Sequence, residues 1–256
     1  MSLQTRFSDP GFDALRAGQR ALTVGARDTI VLPVQTALAD MGFALPGGPD
    51  GAFGAQTKKA VTNFQRHAAT LWADLPATGE VDAATMRALE DLAPPDGSRG
   101  QRWNVPSPQF EGRQVRVVVV KSEHRTFLYD AAGALQGIFP NAVGAKLSST
   151  DEGLKVVWTK INEKGAQDLG RSKYNQPQVF GPRILDLRWA DGRSSGEELH
   201  GTSALHALGE DVSHGCVRHD NDDIVVIYNS LAKGDLVGIV GRVDDPRLAP
   251  PTKVAP

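Results

Sequence analysis

Four of the six histidines and the only cysteine of this chain fall within twenty residues: His200, His206, His214, Cys216 and His219. An imidazole titrates near neutrality and a cysteine thiolate is the strongest nucleophile among side chains at that pH, so the cluster suits thiol catalysis or metal binding. The run Ser213-His214-Gly215-Cys216-Val217-Arg218 favours the thiol. A glycine before it lets the backbone turn sharply and frees amide N–H groups for an oxyanion, with Gly215 and Cys216 as the expected donors. Arg218 adds a fixed positive charge, and a helix is expected to start just beyond. Both should lower the thiol pKa. The competing chemistry is zinc held by His200, His214 and Cys216, but His, one residue, Cys makes a short chord for tetrahedral ligands, and we expect no metal and no cofactor. A single cysteine also excludes an intramolecular disulfide and a thiolate cluster.

Such a loop needs elements to hold it. Beyond residue 112, Gln114 to Val120, Thr126 to Tyr129, Leu154 to Ile161, Ile184 to Trp189 and Leu236 to Val240 are short and rich in β-branched or aromatic residues, which predicts a mainly β domain. One helix follows the cysteine, where Ile224, Ile227, Tyr228 and Leu231 keep helical spacing, Asn221 can cap the start and Gly234 can end it. The N-terminal part reads as three helices. Val31, Val34, Leu38 and Met41 mark the first, with Gly42 to stop it; Ala60, Val61 and Phe64 mark the second; Asp82 caps a third carrying Thr85, Met86 and Leu89. Gly51-Ala-Phe53-Gly-Ala-Gln-Thr57 returns as Gly79-Glu-Val81-Asp-Ala-Ala-Thr85, 28 residues on, which suggests a pseudo-symmetric module. Residues 93–112 and the tail from 243 are broken by prolines and glycines. The expected organisation is therefore a helical domain at 18–92, a connector at 93–112, a catalytic domain at 113–242 and a tail at 243–256.

Composition narrows the classes further. Across 256 residues, 28 Lys and Arg against 30 Asp and Glu leave a net charge of −2, which offers no electrostatic case for nucleic acid. With 40% hydrophobic residues the chain can build cores. The longest strictly apolar run, Val117 to Val120, is far below a membrane span, and the first thirty residues mix charges among short apolar pieces, so we expect neither a transmembrane segment nor an export signal.

The combination of His200-Gly201-Thr202 and, after fifteen intervening residues, Cys216 within Ser-His-Gly-Cys-Val-Arg resembles the signature of the YkuD-like L,D-transpeptidases, over roughly 114–241. Phe180-Gly-Pro-Arg183, Asn221 and Asp223 extend the match. Gln35, Leu38, Asp50-Gly51, Phe53-Gly54, Thr57, Ala60-Val61 and Phe64-Gln65 make the N-terminal part similar to three-helix peptidoglycan-binding domains. The resemblance implies an α+β chain, with an all-α module before a mixed-sheet, sandwich-like catalytic domain. It implies a thioacyl-enzyme on Cys216, release of terminal D-alanine from a peptidoglycan stem peptide, cross-linking to a neighbouring amine, and acylation by carbapenems.

The same resemblance makes His200 the base and acid, oriented by a backbone carbonyl. Ser213 and Thr202 order the loop, His214 either supports the loop or faces the substrate, and Arg218 with Gly201 meets substrate. Arg218 could instead pair with Asp220, Asp222 or Asp223. His206 and His219 are expected at the surface. Trp72, Trp103, Trp158 and Trp189 could stack on sugars but are expected to pack. The alternatives are an L,D-carboxypeptidase, endopeptidase or D-amino-acid exchange enzyme with the same residues, and a wall-binding protein without activity. A periplasmic or cell-wall monomer is expected, trimmed of a leader or exported without one. Two departures stand out: Thr150-Asp151-Glu152-Gly153 lacks the proline usual after that threonine, and His219 replaces a bulky apolar residue.

Overall fold

The computed structural model describes residues 5–100 and 105–250; Trp103 and the parts of the connector and tail at 101–104 and 251–256 lie outside the described residues. The chain divides after residue 104 into two compact units.

The first unit is helical: α1 (Gly11–Arg16), α2 (Val31–Asp40), α3 (Ala55–Ala68) and α4 (Ala83–Leu92). Val34, Leu38, Phe43, Phe64, Met86 and Leu89 are fully or almost fully buried, which is what the helical spacing of apolar residues requires of inward faces. Gly42 takes φ 91° just past α2, and the Asp82 side chain accepts the Thr85 N–H at the start of α4.

The sequence echo is a repeated device. Gln35 on α2 donates Nε2–H to the Thr57 hydroxyl at 2.9 Å and accepts the Gly51 N–H at 2.8 Å. Gln65 on α3 does the same with Thr85 at 2.9 Å and Gly79 at 2.8 Å. Phe53 and Val81, the apolar members of the two copies, each exchange backbone hydrogen bonds with the segment at 22–26. A buried glutamine thus satisfies each turn that feeds a helix, so neither turn leaves polar atoms stranded.

The second unit is built on a mixed sheet. Its strands are β1 (Gln109–Phe110), β2 (Arg113–Gln114), β3 (Val117–Val120), β4 (Arg125–Tyr129), β5 (Leu135–Gly144), β6 (Gly153–Ile161), β7 (Ile184–Trp189), β8 (Ser194–His200), β9 (Asp211–Ser213), β10 (Val217–His219) and β11 (Leu236–Val240), with α5 (Glu163–Tyr174) and α6 (Asn221–Ser230). The main sheet runs β10-β8-β7-β6-β11-β3-β4-β5-β9, and a further pairing of β10 with β5 closes it, while β1 and β2 form a separate ribbon. Closure removes the open edges that a sandwich would leave at β10 and β5. β3, four consecutive valines, is buried on both faces between β11 and β4.

Helix α6 departs from its expected ends. Asp220, not Asn221, caps it by accepting the Asp222 N–H at 2.9 Å, and the helix stops at Ser230, before the turn at Gly234. Asn221 is used elsewhere, as described below.

Candidate active site

His200 ends β8 and Cys216 immediately precedes β10. These strands pair in parallel, Val217 beside Leu199 and Arg218 beside His200. Continuing that register by one residue brings Cys216 level with Glu198. Paired residues on neighbouring strands share a face, and alternate residues return to it, so Glu198, His200, Cys216 and Arg218 converge on one side of the sheet. On the same face β7 sets Asp186 opposite Glu198 and Ile184 opposite His200.

The turn before the thiol is tied at four points. Ser213 Oγ donates to the Cys216 carbonyl at 2.5 Å and accepts the Gly215 N–H at 3.2 Å. Thr150 Oγ donates to the Gly215 carbonyl at 2.7 Å and accepts the Gly144 N–H at 2.8 Å. Gly215 sits at φ 111°, a conformation open to glycine and strained for other residues. Its N–H is spent on Ser213, so of the two expected oxyanion donors the Cys216 N–H is the one without a hydrogen bond among the described residues.

Asp151 stands where a proline was expected, and unlike proline it carries an N–H. That N–H donates to Glu197 Oε1 at 2.8 Å, while Glu197 Oε2 takes the buried Lys155 ammonium at 2.7 Å. The loop therefore keeps Thr150 in place by a polar route.

His200 is buried, and its Nδ1 lies 2.5 Å from the Gly201 carbonyl. That contact puts the proton on Nδ1 and leaves Nε2 as the basic nitrogen. The Phe180 ring packs edge-on at 5.0 Å from the imidazole, and Tyr174 in turn packs edge-on against Phe180 at 5.8 Å. Gly201 is itself buried. A Cβ there would lie 2.4 Å from Asn221 Oδ1, and one on Gly181 would lie 2.2 Å from the same atom. Asn221 Oδ1 accepts the Thr202 N–H at 3.1 Å, and the Thr202 hydroxyl accepts the Ala204 N–H at 3.0 Å. Gly201, expected at the substrate, thus lies behind the histidine, with its carbonyl turned to the ring.

Glu198, His200 and Cys216 bring a carboxylate oxygen, a ring nitrogen and the sulfur within 4.8 Å of one another, and Sγ is 4.0 Å from Glu198 Oε2. Glu198 was absent from the sequence reading. His214 is exposed and outside this trio, so the triplet weighed for zinc is not assembled.

Burial pushes the Cys216 thiol up to about 12, with the Glu198 charge adding to it and Arg218 opposing weakly. The expectation of a lowered thiol pKa is therefore overturned: desolvation of the charged form outweighs the arginine. Burial likewise holds His200 down to about 4, against the Gly201 carbonyl. At neutral pH the resting pair is thiol and neutral imidazole.

Arg218 is half-buried, and its side chain makes no hydrogen bond or ion pair among the described residues, so it is not seen paired with Asp220, Asp222 or Asp223. His206 is exposed, as expected. His219, expected at the surface, is fully buried on β10; its Nε2 meets the Thr126 hydroxyl at 2.8 Å, so the imidazole fills the volume of the anticipated apolar side chain. Trp158 and Trp189 have faces covered by Arg188 at 4.1 Å and the Lys155 ammonium at 3.1 Å, and Trp72 is half-buried.

Residues 114–239 match the family model described as the L,D-transpeptidase catalytic domain (YkuD), and residues 27–89 match the one described as "Putative peptidoglycan binding domain". The second unit belongs to the L,D-transpeptidase catalytic domain family, and the helical unit to the peptidoglycan-binding domain family. A curated Bacillus subtilis protein named "Putative L,D-transpeptidase YqjB" is 29% identical over 105 residues, 40% of this chain and 58% of that protein. The match thus spans under two thirds of that relative. Among solved structures, the L,D-transpeptidase fragment from Xylanimonas cellulosilytica aligns with a TM-score of 0.56 at 21% identity, over 86% of this chain and 98% of that one, a likeness of fold. An L,D-transpeptidase from Mycobacterium tuberculosis aligns at 25% identity with a TM-score of 0.40, over 49% and 57% of the two chains. No helix among the described residues is long and apolar enough to cross a membrane.

Proposed function

We propose that this protein carries out cysteine-dependent acyl transfer on peptidoglycan stem peptides. The observation that carries the reading is the constellation itself: Cys216 beside a buried His200 whose Nδ1 is fixed by the Gly201 carbonyl, inside a domain of the L,D-transpeptidase family. Cys216 Sγ attacks the carbonyl joining the diamino acid to terminal D-alanine, and His200 Nε2 takes the thiol proton and returns it to the departing amine. The Cys216 N–H faces the developing oxyanion, and unpaired Arg218 offers a bidentate contact for a stem carboxylate. An amine then resolves the thioester to give a cross-link; water or a D-amino acid in its place gives the carboxypeptidase or exchange reaction. The helical unit holds the enzyme on peptidoglycan, which places its work in the periplasm or wall, without metal or cofactor.

The full chain incubated with a defined stem tetrapeptide is expected to gain an acyl mass on Cys216 and release D-alanine, with Cys216→Ser gaining none; a carbapenem should add to the same residue. Dimer by mass spectrometry establishes transpeptidation, whereas tripeptide alone establishes hydrolysis. Absence of any adduct on the wild type, or stoichiometric zinc in the purified protein, refutes the assignment.

A further inference from the structure

Glu198 is the acidic side chain nearest the thiol on the site face, and none of the roles above uses it. The β8 to β10 register sets it level with the nucleophile, and its Oε2 lies 4.0 Å from Sγ. Asp186 stands opposite it on β7, one strand further from the sulfur, so two carboxylates neighbour each other on this face. The charges around them come from every neighbouring element. Lys173 in the last turn of α5 acts on both carboxylates, and Arg188 on β7 acts on Asp186. Arg218 on β10 acts on His200 and Cys216. Glu197 points to the other face and is neutralised by Lys155. Burial raises Glu198 and Asp186 above the usual carboxylate range.

A carboxylate at this place opposes thiolate formation, and nothing in the acylation half-reaction needs it. The second half-reaction does. The attacking nitrogen must come within about 3–3.5 Å of the thioester carbon, which is itself bonded to Sγ. An acid 4.0 Å from that sulfur is within reach of hydrogen-bonding the incoming group. A side-chain amine arrives as an ammonium ion and is inert until it loses a proton.

We propose that Glu198, with Asp186 beside it, is the acceptor subsite: it binds the cationic amine that resolves the acyl-enzyme and takes that amine's first proton. This inference rests on the acyl-transfer reading and selects an amine over water as acceptor. The protons balance as follows. The ammonium gives one to the Glu198 carboxylate; the free amine forms the N–C bond as the C–S bond breaks. The second nitrogen proton passes through His200 Nε2 to the departing sulfur, regenerating thiol, and Glu198 returns its proton to solvent.

The test uses the full chain with a stem tetrapeptide donor and two acceptors: a lysine-type side-chain amine, charged at pH 7, and hydroxylamine, neutral there. Glu198→Gln is expected to form acyl-enzyme faster than the wild type yet to transfer it to the lysine-type amine about 10²-fold more slowly, the scale of one lost general base. Transfer to hydroxylamine should fall far less, and Glu198→Asp should restore part of the charged-amine rate. In the wild type, without any variant, salt should raise KM for the charged acceptor and leave that for hydroxylamine unmoved. Equal losses for both acceptors, or a KM for the charged acceptor insensitive to salt, overturn the proposal while the acyl-enzyme still forms. A wild type that forms no acyl-enzyme overturns the parent reading and this one with it.

Discussion

The Cys216 sulfur feels opposing charges, the Glu198 anion and the Arg218 cation, and burial decides its resting state. Desolvation and Glu198 together push the thiol up to about 12, and His200 is held down to about 4, so neither group is charged in the free enzyme near neutrality. Reactivity then depends on the small thiolate fraction set by bulk pH. Alkylation of Cys216 by iodoacetamide is expected to rise about tenfold per pH unit from pH 6 to pH 9, in proportion to thiolate. Stopped alkylation followed by mass spectrometry checks this. A flat rate between pH 5 and pH 8 would mean a preformed thiolate–imidazolium pair and would contradict the burial argument. The resemblance carried by the motif pointed to Cys216, His200 and a backbone carbonyl, and the fold brings these groups together. The direction of the thiol pKa was not legible in it, because it depends on burial and on a glutamate eighteen positions earlier that only strand pairing brings alongside.

That strand, β8, shows why some elements escape a sequence reading. Ser194 to His200 carries two adjacent glutamates, one paired inside with Lys155 and one facing the site, so it lacks the apolar alternation of a half-buried strand. Helix α5 is equally quiet: only Ala166 and Gly170 are buried, Leu169 is partly buried beside them, and most of the remaining residues are polar or charged. β5 contains Pro140, a residue that argues against a paired strand when read from sequence alone. The valine-rich β3 and the well-spaced α2, by contrast, were plain, since their burial follows from their own residues. Between β8 and α6 the decisive contact is a close approach. Gly201 lies against Asn221 Oδ1, with Pro182 Cδ and Gly181 Cα at 3.0 and 3.1 Å from where a Cβ would sit. Gly201→Ala is expected to destabilise the protein by about 1–3 kcal/mol, as overpacking does. Asn221→Ala removes the atom that clashes first, so the double variant should lose less than the two single losses added, by at least about 0.5 kcal/mol. Denaturant melts of the four proteins measure that coupling, and simple additivity would show that the contact is not what excludes a side chain at 201.

At the scale of the whole molecule, each unit buries polar side chains. The helical unit satisfies its turns with neutral amides, Gln35 and Gln65, and buries His67, while the catalytic unit keeps His200 and His219 buried and uncharged. Burial holds His219 down to about 3, helped by the neighbouring His200 at about 4. Both values lie below the 6.5 of an exposed imidazole, so at intermediate pH the unfolded chain binds protons that the folded chain refuses. The stability drawn from keeping these rings neutral is complete above about pH 6.5 and drains away as pH falls toward 4. Each ring contributes a slope of up to about 1.4 kcal/mol per pH unit in that window. For a domain of this size 1 kcal/mol moves Tm by roughly 4 °C, so the melting temperature should fall steeply from pH 6.5 to pH 4.5. His219→Leu, which restores an apolar side chain to β10, should remove about half of that slope, whatever it does to Tm at pH 7. Calorimetry across the pH range checks the slope itself, which packing changes do not alter. An unchanged slope in His219→Leu would show that the ring is protonated in the folded protein and that the fold tolerates a buried imidazolium beside Thr126.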